Sequence, residues 1–108
     1  MKQVQRFGIY WVSLDPTQGS EIKKTRPCII VSPDEMNRHL STVIVAPMTS
    51  TLKGYPTRVP ITTGKKSGEV ALDQIRTIDK SRLTKHMGAI DTATAQKICA
   101  LLGEMFTF

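Results

Sequence analysis

Cysteine, histidine and long apolar runs are scarce in this sequence of 108 residues. The two cysteines, Cys28 and Cys99, lie far apart, so neither the short spacing of a zinc knuckle nor that of a redox pair is available. Each falls inside an apolar pattern, which predicts two buried free thiols. No stretch approaches the roughly 20 apolar residues of a membrane span. The opening Met1-Lys2-Gln3-Val4-Gln5-Arg6 is followed by no apolar segment with a cleavage site. A soluble, cytoplasmic protein without a membrane partner is the expectation. Acidic residues are also few: nine Asp and Glu against 15 Lys and Arg leave a formal charge of +6. That balance favours nucleic acid, an acidic peptide or an anionic surface as partner. The length fits one domain, 1–108, with a single modest core.

What is present is concentrated in two segments. In Gly19-Ser20-Glu21-Ile22-Lys23-Lys24-Thr25-Arg26-Pro27 a flexible turn, a carboxylate and an arginine precede the apolar run Cys28-Ile29-Ile30-Val31. In Val43-Ile44-Val45-Ala46-Pro47-Met48-Thr49-Ser50-Thr51 an apolar strand ends in hydroxyls. Both put polar side chains at the end of a rigid, buried scaffold, the arrangement expected of a site for an anionic substrate.

Around these segments the pattern is mostly β. Phe7–Leu14, rich in aromatic and β-branched residues, reads as a strand stopped by Asp15-Pro16, and Tyr10 and Trp11 point to opposite faces, so one is core. Arg26–Ser32 is a second strand, with Pro27 acceptable at its start or on an edge. Ser32-Pro33-Asp34-Glu35 reads as the start of a short helix with Ser32 as N-cap, ending near His39. Further strands are expected at Ser41–Met48, Thr57–Thr62, Gly68–Leu72 and Gln74–Ile78. From Asp91 or Thr92, apolar residues at Ala95, Ile98, Cys99, Leu102, Met105 and Phe106 mark one face of a C-terminal helix packed on the sheet. The fold class is therefore mainly β with added helices, an α+β small curled sheet or barrel.

Cleaving RNA without a metal requires that a 2′-hydroxyl lose its proton and attack phosphorus while charge on the phosphoryl oxygens is stabilised. Arg26 supplies a permanently charged, planar fork of donors, and Thr49 a hydroxyl for the same group. Glu21 or Asp73 orients Arg26 or moves a proton, and Lys23 and Lys24 steer the strand. His39 and His86 have no patterned partner and are assigned no role.

The runs Gly8-Ile9-Tyr10-Trp11-Val12, Leu14-Asp15-Pro16-Thr17, Gly19-Ser20-Glu21, Thr25-Arg26-Pro27, Asn37-Arg38, Ala46-Pro47-Met48-Thr49-Ser50 and Asp73-Gln74-Ile75-Arg76-Thr77-Ile78-Asp79 together resemble the MazF/PemK/Kid toxins. The resemblance covers nearly the whole chain from Phe7. It implies an SH3-like barrel with a C-terminal helix, a homodimer, and a sequence-specific, metal-independent endoribonuclease needing no cofactor. Such toxins cut single-stranded mRNA to 2′,3′-cyclic phosphate and 5′-hydroxyl ends, and a cognate antitoxin with an acidic tail neutralises them. It places the catalytic arginine on Arg26 and the catalytic threonine on Thr49. As a permanently charged guanidinium, Arg26 is a poor base and better suited to stabilising the phosphorane. Glu21 and Asp73 are then proton-transfer or substrate-shaping groups, and Ser20, Lys23, Lys24, Gln74 and Arg76 RNA-binding residues. Two departures stand out: Ser20 replaces a histidine found in some members, and Ala71 replaces an arginine that some place two residues before the aspartate. The competing expectation is a CcdB-like gyrase inhibitor or a nucleic-acid-binding module, which would lack turnover.

Overall fold

A computed structural model describes residues 3–108. Its strands and helices follow in the order β1 (Gly8–Ser13), β2 (Thr25–Ile30), α1 (Asp34–His39), β3 (Thr42–Thr49), β4 (Arg58–Thr63), β5 (Lys66–Ala71), β6 (Arg76–Asp79), β7 (Leu83–Ala89) and α2 (Thr92–Met105). Short 3-10 turns occupy Leu72–Gln74 and Lys80–Arg82.

All strand pairs are antiparallel, in the order β4-β5-β3-β2-β1-β7. The long β3 organises the sheet. One edge pairs with β2, while the other is shared between β6, along Thr42–Val45, and β5, at Met48 and Thr49. Pro47 falls between those two ladders, where a missing N–H is tolerated. Pro27 similarly precedes the first β2–β3 pair, Cys28 with Pro47. Among the described residues no ladder joins β4 to β7, so the sheet is open where the expected small barrel would close.

Strand alternation sorts the apolar residues onto two faces. Tyr10, Val12, Cys28, Ile30, Val43, Val45 and Ile78 form one cluster, and Ile9, Ile29, Ala46, Met48, Val59 and Val70 the other. Helix α2 covers the second cluster and drives the fully buried Ile98 into it. Its N-terminus is capped by Asp91, whose carboxylate accepts the Thr94 N–H at 2.7 Å. With both faces covered, Cys28, Ile29 and Ile30 are successive and all solvent-free. Of the two neighbouring aromatics on β1, Tyr10 is the core residue.

Three expectations are corrected, and one strand goes unread. Ser32 is not the cap of α1; Pro33 occupies that position with no side-chain bond. The Ser32 hydroxyl, 1% exposed, donates instead to Asn37 Oδ1 at 2.6 Å and accepts the Ile44 N–H at 3.1 Å, tying helix to β3. Cys99 is half-buried rather than buried, with Arg6 Nη2 3.5 Å from its sulfur. Phe106 lies past the last turn of α2 and is exposed, so the apolar face ends at Met105. Finally, β7 has no counterpart in the sequence reading, because its Thr84-Lys85-His86-Met87 centre is exposed on both faces and shows no alternation.

Candidate active-site cleft

Strand ends from three parts of the chain converge on one open cleft of about 510 Å³. The β1–β2 loop brings Ser20, Glu21 and Lys23, the start of β2 brings Arg26, and the end of β3 brings Thr49. The 3-10 turn after β5 adds Asp73 and Gln74. The two segments picked out in the sequence thus meet, because Arg26 enters one neighbour of a strand pair and Thr49 leaves the other.

Arg26 Nε donates to the carbonyl of Lys23 at 2.9 Å, and among the described residues no carboxylate forms an ion pair with it. Its terminal amino groups are therefore available to an anion. Thr49 is 8% exposed, and its Oγ1 accepts the Thr51 N–H at 3.1 Å. Since that contact uses a lone pair, the hydroxyl proton is left to donate into the cleft.

Other assigned residues divide by how their polar atoms are engaged. The Glu21 carboxylate accepts the Gln18 N–H at 2.7 Å, which folds the loop back on itself. Gln74 acts as a brace: its Oε1 accepts the Ile22 N–H at 2.6 Å and its Nε2 donates to the Ser20 carbonyl at 3.2 Å. Arg76 lines an adjoining cleft of about 840 Å³ and donates to the Leu14 carbonyl at 3.0 Å. Lys23 is exposed at the cleft, whereas Lys24 lines neither cleft; it has a positive φ of 73°, and its carbonyl accepts the Leu14 N–H at 3.0 Å. His86 on β7 stacks on Tyr10 of β1 and His39 ends α1, so neither histidine lines the cleft.

The sequence reading missed an ion cluster in the same wall, buried at its Arg58–Glu69 end and open at Asp73. Arg58 Nε and Nη2 donate to the Asp73 carboxylate at 2.7 and 3.2 Å, and Nη1 donates to Glu69 at 3.2 Å. Both side chains of the Arg58–Glu69 pair are 6% exposed. Asp73 bonded to it raises the Arg58 pKa further, while Arg58 holds the Asp73 carboxyl below its ordinary range. The Lys53 and Gly54 N–H groups, at 3.0 and 2.9 Å, lower that of Glu69 in the same direction. Antiparallel register sets Arg58 directly opposite Ala71. The arginine absent from position 71 is thus replaced from the neighbouring strand, and an Arg–Asp pair is restored. The one available signal was Glu69 at the head of the apolar run Val70-Ala71-Leu72, since a carboxylate at a buried position needs a partner. Among the described residues no group of three or more His, Cys, Asp or Glu is arranged to hold a metal.

Comparison with known proteins places the geometry in context. Residues 5–106 match the family described as the PemK-like, MazF-like toxin of type II toxin-antitoxin systems. Over 90 residues the chain is 38% identical to the endoribonuclease MazF of Staphylococcus saprophyticus, covering 78% of this chain and 75% of that one. The fold superposes on the crystal structure of MazF from Deinococcus radiodurans with a TM-score of 0.84 at 26% identity, over 95% of this chain and 96% of that one. An endoribonuclease from a Mycobacterial species, solved in complex with its cognate antitoxin, gives 0.81 at 27% identity over 97% and 98%.

Proposed function

This chain belongs to the PemK-like, MazF-like toxins of type II toxin-antitoxin systems, and on that premise we propose that its cleft cuts single-stranded RNA without a metal ion, using Arg26 and Thr49. The family makes it an endoribonuclease toxin. The observation that carries the chemistry is the convergence, at the ends of adjacent strands, of an arginine with no carboxylate partner among the described residues and a threonine with its proton to give.

A phosphate seated between them accepts donors from the Arg26 guanidinium and the Thr49 hydroxyl. The 2′-oxygen of the preceding ribose attacks phosphorus, the P–O2′ bond forms and the P–O5′ bond breaks. The products are a 2′,3′-cyclic phosphate and a 5′-hydroxyl. Negative charge grows on the non-bridging oxygens as phosphorus becomes five-coordinate, and fixed donors strengthen their hold at that moment. The 2′-proton needs an acceptor and the 5′-oxygen a donor. Asp73 is committed to Arg58, which makes it a weak base. Glu21 has no ion pair among the described residues and lines the same cleft, so we assign it proton transfer, with Asp73 as a shaping group. Ser20 and Lys23 contact the RNA backbone, and Gln74 and Arg76 hold the loop that presents them.

The net charge of +6 supports association with RNA, and with a cognate antitoxin whose acidic tail competes for the same cleft. The working unit is a homodimer, supported by apolar Leu52, Met87 and Phe106, which one chain leaves in water. Action in the cytoplasm fits the fact that no helix of the described residues is long and apolar enough to cross a membrane.

The test is incubation with a long, weakly structured RNA and matched DNA in EDTA, followed by mapping of product ends. Discrete RNA cuts bearing cyclic phosphate, abolished in Arg26→Ala and Thr49→Ala and absent on DNA, are expected. Cleavage that persists in both variants would refute the assignment of the site.

A further inference from the structure

Beyond the proposed phosphate cradle, the cleft wall carries an aromatic ring that stacks on no other ring among the described residues. Tyr55 sits in the β3–β4 loop, lines the cleft with Arg26 and Thr49, and is 48% exposed. The Arg58 guanidinium lies 5.0 Å from the ring centroid, so one face rests on a cation. That cation is itself fixed by Glu69 and Asp73.

The loop is built rather than loose. Buried Glu69 takes the N–H groups of Lys53 and Gly54, and Gly54 supplies the positive φ of 66° that the turn needs. Pro56 restricts the next step, and the Arg58 N–H closes the turn on the Tyr55 carbonyl at 3.0 Å. A half-exposed aromatic on so constrained a loop loses little conformational freedom when something stacks on it. We propose that the outward face of Tyr55, backed by Arg58, is a nucleobase subsite beside the scissile phosphate. Its ligand is an unpaired base of the RNA strand, placed to one side of the cut. The subsite rests on the ribonuclease reading of the cleft. Single-stranded RNA offers such bases, and stacking accepts any of them while loop groups such as Lys53 bias the choice. A tyrosine that served only to cover the ion cluster would make no distinction between RNAs with and without that base.

The experiment uses short RNA oligonucleotides spanning the mapped cut, with a 2′-deoxy substitution that blocks attack and a single abasic site moved through the flanking positions. Dissociation constants are measured for wild type, Tyr55→Ala and Tyr55→Trp, with Tm as a folding control. Tyr55→Ala is expected to weaken binding of the intact oligonucleotide by about 5- to 150-fold. One abasic position should cost the wild type a similar factor and Tyr55→Ala nothing further, and Tyr55→Trp should restore both the affinity and that dependence. If every abasic penalty is the same in wild type and Tyr55→Ala while wild type still cuts cleavable RNA, the subsite is overturned alone. If wild type cuts no RNA, the ribonuclease reading falls and the subsite with it.

Discussion

Glycine at position 68 leaves room for the backbone of Thr49, the threonine proposed for catalysis, by having no side chain. A Cβ built there would lie 2.7 Å from the carbonyl oxygen of Thr49 and 3.6 Å from its carbonyl carbon. To reach the 3.4 Å of ordinary contact, one strand must retreat by about 0.7 Å. The obstacle is backbone in a ladder, since Met48 and Thr49 pair with Val70 and Glu69, so it cannot swing aside as a side chain would. Gly68→Ala should therefore destabilise the fold by about 1–3 kcal/mol, in line with other overpacked interiors. For a chain of this size that corresponds to a drop in Tm of roughly 5–20 °C at fixed protein concentration. The larger effect should be on turnover. Moving Thr49 Oγ1 by a fraction of an ångström from a phosphate that Arg26 still holds should reduce kcat by roughly 10- to 100-fold, with little change in KM. Gly103→Ala is the matched control, because its Cβ meets nothing within 4 Å in helix α2. That variant should gain helix propensity, raise Tm by roughly 2–8 °C and leave kcat unchanged. Steady-state cleavage of a fluorogenic RNA and thermal melts of both variants decide the matter. A Gly68→Ala protein that melts and turns over like wild type would refute the close-approach argument.

Arg58→Met should change the acid limb of stability. In wild type the lowered pKa of Asp73 gives stability that is full above the ordinary carboxyl value of 3.8 and is lost as pH falls through the lower native value. Without Arg58 that native pKa rises, so urea melts should show a protein weaker at neutral pH that loses less on acidification. The Glu69 share should persist, since the Lys53 and Gly54 N–H groups are its leading causes; an unchanged acid slope would show that Asp73 does not depend on Arg58. Burial pushes the Cys28 thiol up to about 12, so a thiol reagent at pH 8 should modify Cys28 only after unfolding, as mass mapping of labelled peptides can establish.

The β-rich frame was legible because its burial is strongly patterned. The run from Cys28 to Val31, the strand expected at Ser41–Met48 and the i, i+3, i+4 spacing of Ala95, Ile98 and Cys99 have few other uses than a packed sheet and a helix on it. That Arg26 and Thr49 share a cleft was legible for the same reason, both being polar residues at the ends of those runs. Strand β7 was not, because its residues from Thr84 to Met87 are exposed and it is held by backbone pairing to β1, which leaves no trace in hydropathy. The cap of α1 misled because Ser32 has two competing uses, and the buried one, with Asn37 and Ile44, won.

Arg58 shows a different limit. Position 71 carries alanine, and along the chain an Arg–Asp pair two residues apart is simply absent. In the sheet, position 71 has a neighbour that no spacing rule in one strand can reveal, and that neighbour is arginine. An antiparallel partner puts its side chain on the same face about 5 Å away. A long guanidinium can therefore cross from β4 and meet Asp73 from nearly the place a residue at 71 would have used. The exchange has consequences. From β4, the same guanidinium also reaches Glu69, and Glu69 clamps the β3–β4 loop. Seated on β4, that guanidinium also lies 5.0 Å from the centroid of the Tyr55 ring. The arginine on β4 thus couples the ion pair at Asp73 to the loop that presents the Tyr55 ring in the cleft. A relocated arginine with Arg58→Ala and Ala71→Arg combined should accordingly restore the Asp73 acid limb while leaving the Tyr55-dependent binding of RNA impaired; full recovery of both would break the proposed link between them.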